Sequence, residues 1–246
     1  MNAIPVLGIP HYNRLDLTLR CIQSIDHAVD TLVIVMNGDH RNAGQIAVRA
    51  GCNPNIHAIK FVEHPNAGVA GAWNEIIKLF PAQWWLISNN DIQFAPGDLA
   101  RMAFQVERRA AGVCYGNHGA SWFGITAACV ETVGLFDENI YPAYLEDCDY
   151  SVRCDLLGMP RANVPGCTSV HGDEKQSGSC TVNISPQLAA ENSRTHGLNH
   201  GYYQAKWGGP NGHETYKHPF NDPQWPVWAW RFLPSGRADR RWTVAG

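Results

Sequence analysis

The stretch Tyr144-Leu145-Glu146-Asp147-Cys148-Asp149 places three carboxylates within four positions at the start of a helical pattern. Cys148, Val152 and Leu156 follow at i, i+4 and i+8 as one apolar stripe, and Gly158 with Pro160 just beyond it supplies a stop. Residues three apart share a helix face, so Glu146 and Asp149 are expected as neighbours, with Asp147 pointing elsewhere. The helix N-terminus favours negative charge, while like charges crowded together push at least one carboxyl pKa up. A carboxylate poised in this way can act as a general base. The same run also suits simple acidic decoration of a first helical turn, so the rest of the chain has to decide.

Three further stretches could carry chemistry. Ser88-Asn89-Asn90-Asp91 follows an apolar run, and an Asp beside polar amides at a strand end can hold a divalent cation carrying phosphate oxygens, or simply begin a turn. In Asn66-Ala67-Gly68-Val69-Ala70-Gly71-Ala72-Trp73-Asn74, glycine allows close backbone approach to a ligand, and the following helix points N–H groups at whatever sits there. This is neither the P-loop nor the dinucleotide fingerprint, and an ordinary glycine turn capping a helix fits it equally. His171 ends an extended segment, where histidine serves as a metal ligand or as a plain polar contact.

The elements that must position these residues read as alternating strands and helices. Strands are expected at Ile4 to Ile9, Thr31 to Met36, His57 to Val62 and Trp84 to Ile87. Helices are expected from Leu15 to Ile25, Ala43 to Ala50, Ala70 to Phe80 and Asp98 to about Ala110. Val113 to Tyr115 and Ser121 to Ile125 are strand-like, Ala127 to Val133 a short helix, Asn163 to Val170 a strand or extended segment, and Pro186 to Tyr203 a helix. The fold class is therefore α/β, a Rossmann-like, mostly parallel sheet with helices on both faces and an irregular, partly helical C-terminal extension. Ligands bind such sheets beyond the carboxyl ends of the strands, where the polar loops His11-Tyr12-Asn13-Arg14 and Asn37-Gly38-Asp39 fall. The expected division is a catalytic domain over 1–175 and an extension over 176–246 packed on it.

Composition bounds the function. A chain of 246 residues with a formal net charge of −3 has no global basic footprint for nucleic acid. The charge is uneven: residues 206–246 hold six Lys/Arg against three acids, +3, which leaves −6 on the remainder. Eight scattered cysteines without a Cys-x-x-Cys pair predict neither disulfides nor a zinc cage, and a reducing cytoplasm as the setting. The first residues lack a basic n-region, and no apolar run has the length of a membrane span.

Taken in order, Gly8-Ile9-Pro10-His11-Tyr12-Asn13-Arg14, Val33-Ile34-Val35-Met36-Asn37-Gly38, the Asn66–Asn74 stretch, Leu86-Ile87-Ser88-Asn89-Asn90-Asp91, Gly134-Leu135-Phe136-Asp137-Glu138 before Glu146-Asp147-Cys148-Asp149, and His171 resemble a family-2-type glycosyltransferase of the A-type fold, close to rhamnosyltransferase-like members. The match covers roughly residues 4–172. The resemblance implies that Pro10, Tyr12, Asn13 and Asn37 line the base and ribose of a nucleotide-sugar donor. It puts Asn66, Gly68, Asn74 and Asn90 on the donor as well, the first three at its sugar–diphosphate part. It makes Asp91 the metal-binding carboxylate, His171 a further ligand or diphosphate contact, and Asp147 the general base supported by Glu146 and Asp149. The implied cofactor is Mn²⁺ or Mg²⁺, and the implied reaction inverts the transferred sugar. Asn89 stands where the family's Asp-x-Asp motif has its first acid, which removes one negative charge from the metal site.

The acceptor is expected to be a hydroxyl on a glycan, a lipid-linked sugar or modified DNA. The cationic tail motivates the DNA reading and the acidic remainder opposes it. A non-catalytic nucleotide- or carbohydrate-binding module is the rival from another class, opposed by the intact acidic run. Trp122, Lys206 and Trp207 are candidate donor or acceptor contacts. Asp173 to Cys180 reads as a loop over the donor site, and Trp225, Trp228, Trp230 and Trp242 either meet sugar rings and bases or staple the tail to the core.

Overall fold

The computed structural model describes residues 2–38, 40–108, 111–173, 178, 180–181, 185–225 and 227. The expectations placed on Trp228, Trp230 and Trp242, on the basic end of the tail, and on residues 174–177 and 179 of the loop lie outside them.

The first half alternates as its periodicity requires. Strand β1 (Ile4–His11), helix α1 (Leu15–Gln23), β2 (Val29–Asn37), α2 (Ala43–Gly51), β3 (Ile59–His64), α3 (Gly68–Leu79) and β4 (Trp84–Ser88) come in order. The short β5 (Ile92–Gln93), α4 (Asp98–Glu107), β6 (Val113–Gly116), β7 (Gly119–Thr126), α5 (Ala127–Val133) and α6 (Glu146–Leu156) follow. Then come β8 (Arg161–Asn163), β9 (Val170–His171) and the long α7 (Pro186–Trp207). The segment from Asn163 to Val170, expected as a strand or extended segment, thus joins two short strands that belong to two different sheets.

Seven strands form one sheet in the order β3-β2-β1-β4-β7-β6-β8. Strands β1 to β4 run parallel, and β7 enters antiparallel beside β4. A second, two-stranded ribbon pairs β5 with β9 and sets Ile92 opposite His171. The central strands are continuous apolar runs because both faces are covered. Their side chains alternate between two cores. Leu7, Leu32, Ile34 and Leu86 pack with α1, α2 and α4, while Val6, Val33, Val35 and Ile87 pack with α3, α5 and α6. Gly8 is required at the centre, since a Cβ there would collide with Ile76 of α3. A third, smaller core of Ile140, Leu145, Tyr203, Trp207 and Val227 fixes α7 against the start of α6.

Candidate active site

A cavity of about 550 Å³ opens beyond the carboxyl ends of β1, β2 and β4. Pro10 and Tyr12 from the end of β1, Asn37 from β2, and Asn89, Asn90 and Asp91 after β4 line one side. Asn66, Gly68, Val69 and Trp73 enter from α3 and its approach, and Tyr141 to Cys148 from the approach to α6. Leu188, Glu191, Asn192 and His196 of α7 also face the cavity, so the C-terminal extension contributes to its wall.

Asp91 and His171 are 80 positions apart in sequence, and the β5–β9 ribbon brings them together. Asp91 is buried, its Oδ2 accepting from the Cys180 N–H at 3.0 Å. Its Oδ1 faces His171 Nε2 at 3.2 Å, but the pair lacks hydrogen-bond geometry, so neither buried atom has a hydrogen-bond partner. His171 Nδ1 lies 3.3 Å from Ser121 Oγ, which orients the ring. A carboxylate oxygen and an imidazole nitrogen left facing each other suit a divalent cation. Adjacent ligands each about 2.1 Å from a metal lie about 3 Å apart. Among the described residues no cluster of three or more His, Cys, Asp or Glu surrounds them. The described residues thus offer two ligands, and water or phosphate oxygens would complete the shell around them.

At the opposite wall, α6 begins at a backbone turn that side chains resist: Tyr144 and Leu145 both adopt left-handed conformations, with φ of 74° and 80°. The geometry is enforced from outside. Asn199 of α7 donates to the Ala143 carbonyl at 2.8 Å and accepts from the Tyr141 N–H at 3.3 Å. Gly68 packs against the same segment, where a Cβ would come within 2.7 Å of the Pro142 carbonyl oxygen and φ is +72°.

The acidic run divides differently from its sequence spacing. Glu146 and Asp147 both line the cavity, whereas Asp149 does not. Asp149 turns into a buried network in which it pairs with Arg153 at 3.0 Å and Lys206 at 2.5 Å and accepts from Trp207 Nε1 at 2.9 Å. Burial works against its charge, but Lys206 and Arg153 outweigh it and hold the carboxyl below its ordinary range. Lys206 also reaches Asp137 at 2.8 Å. The expected pairing of Glu146 with Asp149 therefore gives way to Glu146 beside Asp147. Burial, with the charge of Asp147 second, pushes the Glu146 carboxyl up to about 8, and its Oε2 has no hydrogen-bond partner.

Several expected contacts have structural partners instead. Lys206 and Trp207 are fully buried under α6 and do not reach the cavity. Trp122 is buried and donates to Asn117. Asn74 exchanges hydrogen bonds with the Phe136 backbone at 2.9 Å in each direction and also donates to Glu138. Asn13 takes a left-handed turn outside the cavity lining. The glycine turn is held by protein groups: Asn37 accepts from the Ala67 N–H, Asn66 from that of Gly68, and the Pro142 carbonyl from that of Val69. These N–H groups are committed to the protein. The sequence reading missed Trp73, the 141–145 segment and the face of α7. Trp73 lies in the quoted glycine stretch and was open to discovery, whereas nothing local marks α7.

The sheet order, the switch from parallel to antiparallel pairing at β4 and β7, and a cavity at the strand ends define the A-type glycosyltransferase fold. Solved structures agree. The mannosyltransferase PcManGT from Pyrobaculum calidifontis, in complex with GDP-Man and Mn²⁺, superposes with a TM-score of 0.60 at 16% identity, over 83% of this chain and 64% of that one. S. aureus TarS 1-349 in complex with UDP-GlcNAc gives 0.56 at 12% identity, over 80% and 66%. Residues 7–126 match the model of glycosyl transferase family 2, the family that the motifs resemble. A galactofuranosyl glycosyltransferase from Leishmania donovani is 42% identical over 52 residues, 20% of this chain and 12% of that protein. The chain thus spans just under two thirds of PcManGT and about an eighth of this curated relative.

Proposed function

We propose that the protein is a nucleotide-sugar-dependent glycosyltransferase that moves a sugar onto an acceptor hydroxyl with inversion. The observation that carries this reading is that Asp91 and Asp147, from opposite ends of the domain, open onto one cavity at the strand ends. Neighbours of the same fold captured with GDP-Man and Mn²⁺ or with UDP-GlcNAc support the donor class.

In this reading Pro10 and Tyr12 flank the nucleoside, and Asn66, Gly68 and Asn90 border the diphosphate and sugar. Asp91 and His171 would hold a Mn²⁺ or Mg²⁺ ion. A cation bound there supplies Lewis-acid neutralisation of the diphosphate charge. Asp147 takes the proton of the acceptor hydroxyl as its oxygen bonds to the anomeric carbon, while the bond from that carbon to the phosphate oxygen breaks and the nucleoside diphosphate leaves with the electron pair. Attack from the face opposite the leaving group inverts the anomeric centre. Glu146, kept neutral by burial, leaves the pair with a single charge beside the reacting hydroxyl. Asp149 supports from behind, tying the first turn of α6 to α7.

The test is a transfer assay with Asp147→Asn, read together with nucleotide binding. Transfer should fall by about 10²–10⁴-fold with nucleoside diphosphate affinity unchanged. Full transfer by the variant, or a product that keeps the donor's anomeric configuration, would remove Asp147 from the role of base.

A further inference from the structure

Buried polar side-chain atoms are almost always paired in folded proteins, so those left unpaired mark places completed by something else. Six such atoms occur among the described residues. Two are the facing pair of Asp91 and His171, and Arg153 carries one in the buried network under α6. The remaining three, Trp73 Nε1, Glu146 Oε2 and Asn192 Oδ1, all belong to residues lining the cavity. Trp73 is 2% exposed and Glu146 6%, so open solvent does not satisfy them.

Trp73 is fixed where it is. Phe123 and Phe136 meet its ring edge-on at centroid distances of 5.0 and 4.9 Å. Those partners are apolar, and the indole N–H can only donate. A donor left without a partner in an aromatic cluster costs about 1–3 kcal/mol, a cost a bound acceptor atom removes. Glu146 offers the complementary need. Its Oε2 accepts when the carboxyl is ionised and can donate or accept when it is neutral. A hydroxyl both donates and accepts, and a sugar ring carries several.

From this pairing of needs we infer that Trp73 and Glu146 form a hydroxyl-recognition subsite, Trp73 donating a hydrogen bond to a sugar hydroxyl oxygen and Glu146 accepting from, or when neutral donating to, a sugar hydroxyl in the cavity. The subsite rests on the glycosyl-transfer reading and deepens it. It makes Trp73 a specificity-determining residue, one that separates a sugar from its deoxy analogue.

The experiment uses calorimetric titration of the full chain, wild type and Trp73→Phe, with GDP, UDP, GDP-mannose and UDP-N-acetylglucosamine, and with methyl glycosides added to nucleotide-loaded protein. Phenylalanine keeps an aromatic ring for Phe123 and Phe136 and removes the donor together with part of the indole's volume, so the nucleoside diphosphates serve as the control for a general loss of site shape. The nucleoside diphosphates should bind both proteins alike, while a sugar-bearing ligand loses about tenfold in affinity for the variant. A loss on the nucleotide sugars assigns the hydroxyl to the transferred sugar, and a loss confined to the methyl glycosides assigns it to the acceptor. Glu146→Gln, which keeps a polar atom in place, should bind within about twofold of wild type, and Glu146→Leu should repeat the tenfold loss. That comparison stands even where Trp73→Phe folds poorly. Equal sugar binding by wild type, Trp73→Phe and Glu146→Leu overturns the subsite while leaving the glycosyltransferase reading intact. If wild type binds no nucleotide and no sugar, the glycosyltransferase reading falls and the subsite falls with it.

Discussion

Glu146 sits buried beside Asp147, and its pKa of about 8 couples the site to the stability of the fold. Below its ordinary pKa of 4.5 the group is neutral whether the chain is folded or not, and burial costs nothing. From there to about pH 8 the unfolded chain ionises and the folded one does not, so stability falls by at most about 1.4 kcal/mol per pH unit. Above the folded pKa the loss is complete. Glu146→Gln removes this term. Its melting temperature should match wild type below about pH 4 and exceed it near pH 8.5. A variant whose melting profile runs parallel to wild type across that range would show that the carboxyl ionises freely in the folded state. The sequence made a raised carboxyl legible through crowding, but not which one. That choice depends on Leu145 and Tyr144 turning left-handed and rotating the first turn of α6, which spacing alone does not encode.

Among the elements, α7 is the one the sequence concealed. Its core-facing positions are Thr195, Asn199, Tyr203, Lys206 and Trp207, a stripe of helical period whose first half is polar. An apolar-periodicity reading finds the helix and misses its face. Lys206 beside Trp207 looks like a ligand contact for the same reason: a basic residue next to an aromatic one suits a sugar phosphate as well as a buried ion pair. The parallel half of the sheet was legible because its apolar runs are long and its turns polar, and Asp91 and the glycine turn follow the ends of β4 and β3, while Asp147 reaches the same cavity from the first turn of α6. The partner that Asn74 meets, the backbone of Phe136, is 62 residues away and has no trace in the local sequence. The tertiary role of α7 is testable. Among the described residues, Lys206→Met leaves Asp137 without a cationic partner and Asp149 with Arg153 and the Trp207 N–H. Breaking a buried pair this way costs about 3–5 kcal/mol, which chemical denaturation should register at neutral pH. Because the folded pKa of Asp149 is lowered, its contribution is fully present above about pH 4 and fades as pH falls further, and the penalty of the variant should shrink with it. Asn199→Ala acts on the active-site approach. Losing its hydrogen bonds to Ala143 and Tyr141 should cost about 1–3 kcal/mol and lower kcat more than it raises KM, because the held turn aims Asp147. A KM effect alone would show that the turn keeps its shape without α7.

At the scale of the molecule, the cavity is walled by elements far apart in sequence: β1 and its loop on one side, α6 and α7 on the other. Anything that bridges these walls adds its binding energy to the folded state alone. A nucleoside diphosphate at 100 times its dissociation constant should stabilise the fold by about 2.7 kcal/mol. For a chain of this size that is a rise of about 5–10 °C in melting temperature. The metal-binding half of the proposal separates from the nucleotide half here. With Asn89 in place of an acid, Asp91 carries the charge of that loop alone, so Asp91→Asn should abolish the extra shift that Mn²⁺ adds while leaving much of the nucleotide's own shift. His171→Ala should weaken the Mn²⁺-dependent part less, since it removes a neutral ligand and leaves the carboxylate. If Asp91→Asn keeps the full Mn²⁺ effect, the cation is held elsewhere, and the facing atoms of Asp91 and His171 are completed by water instead.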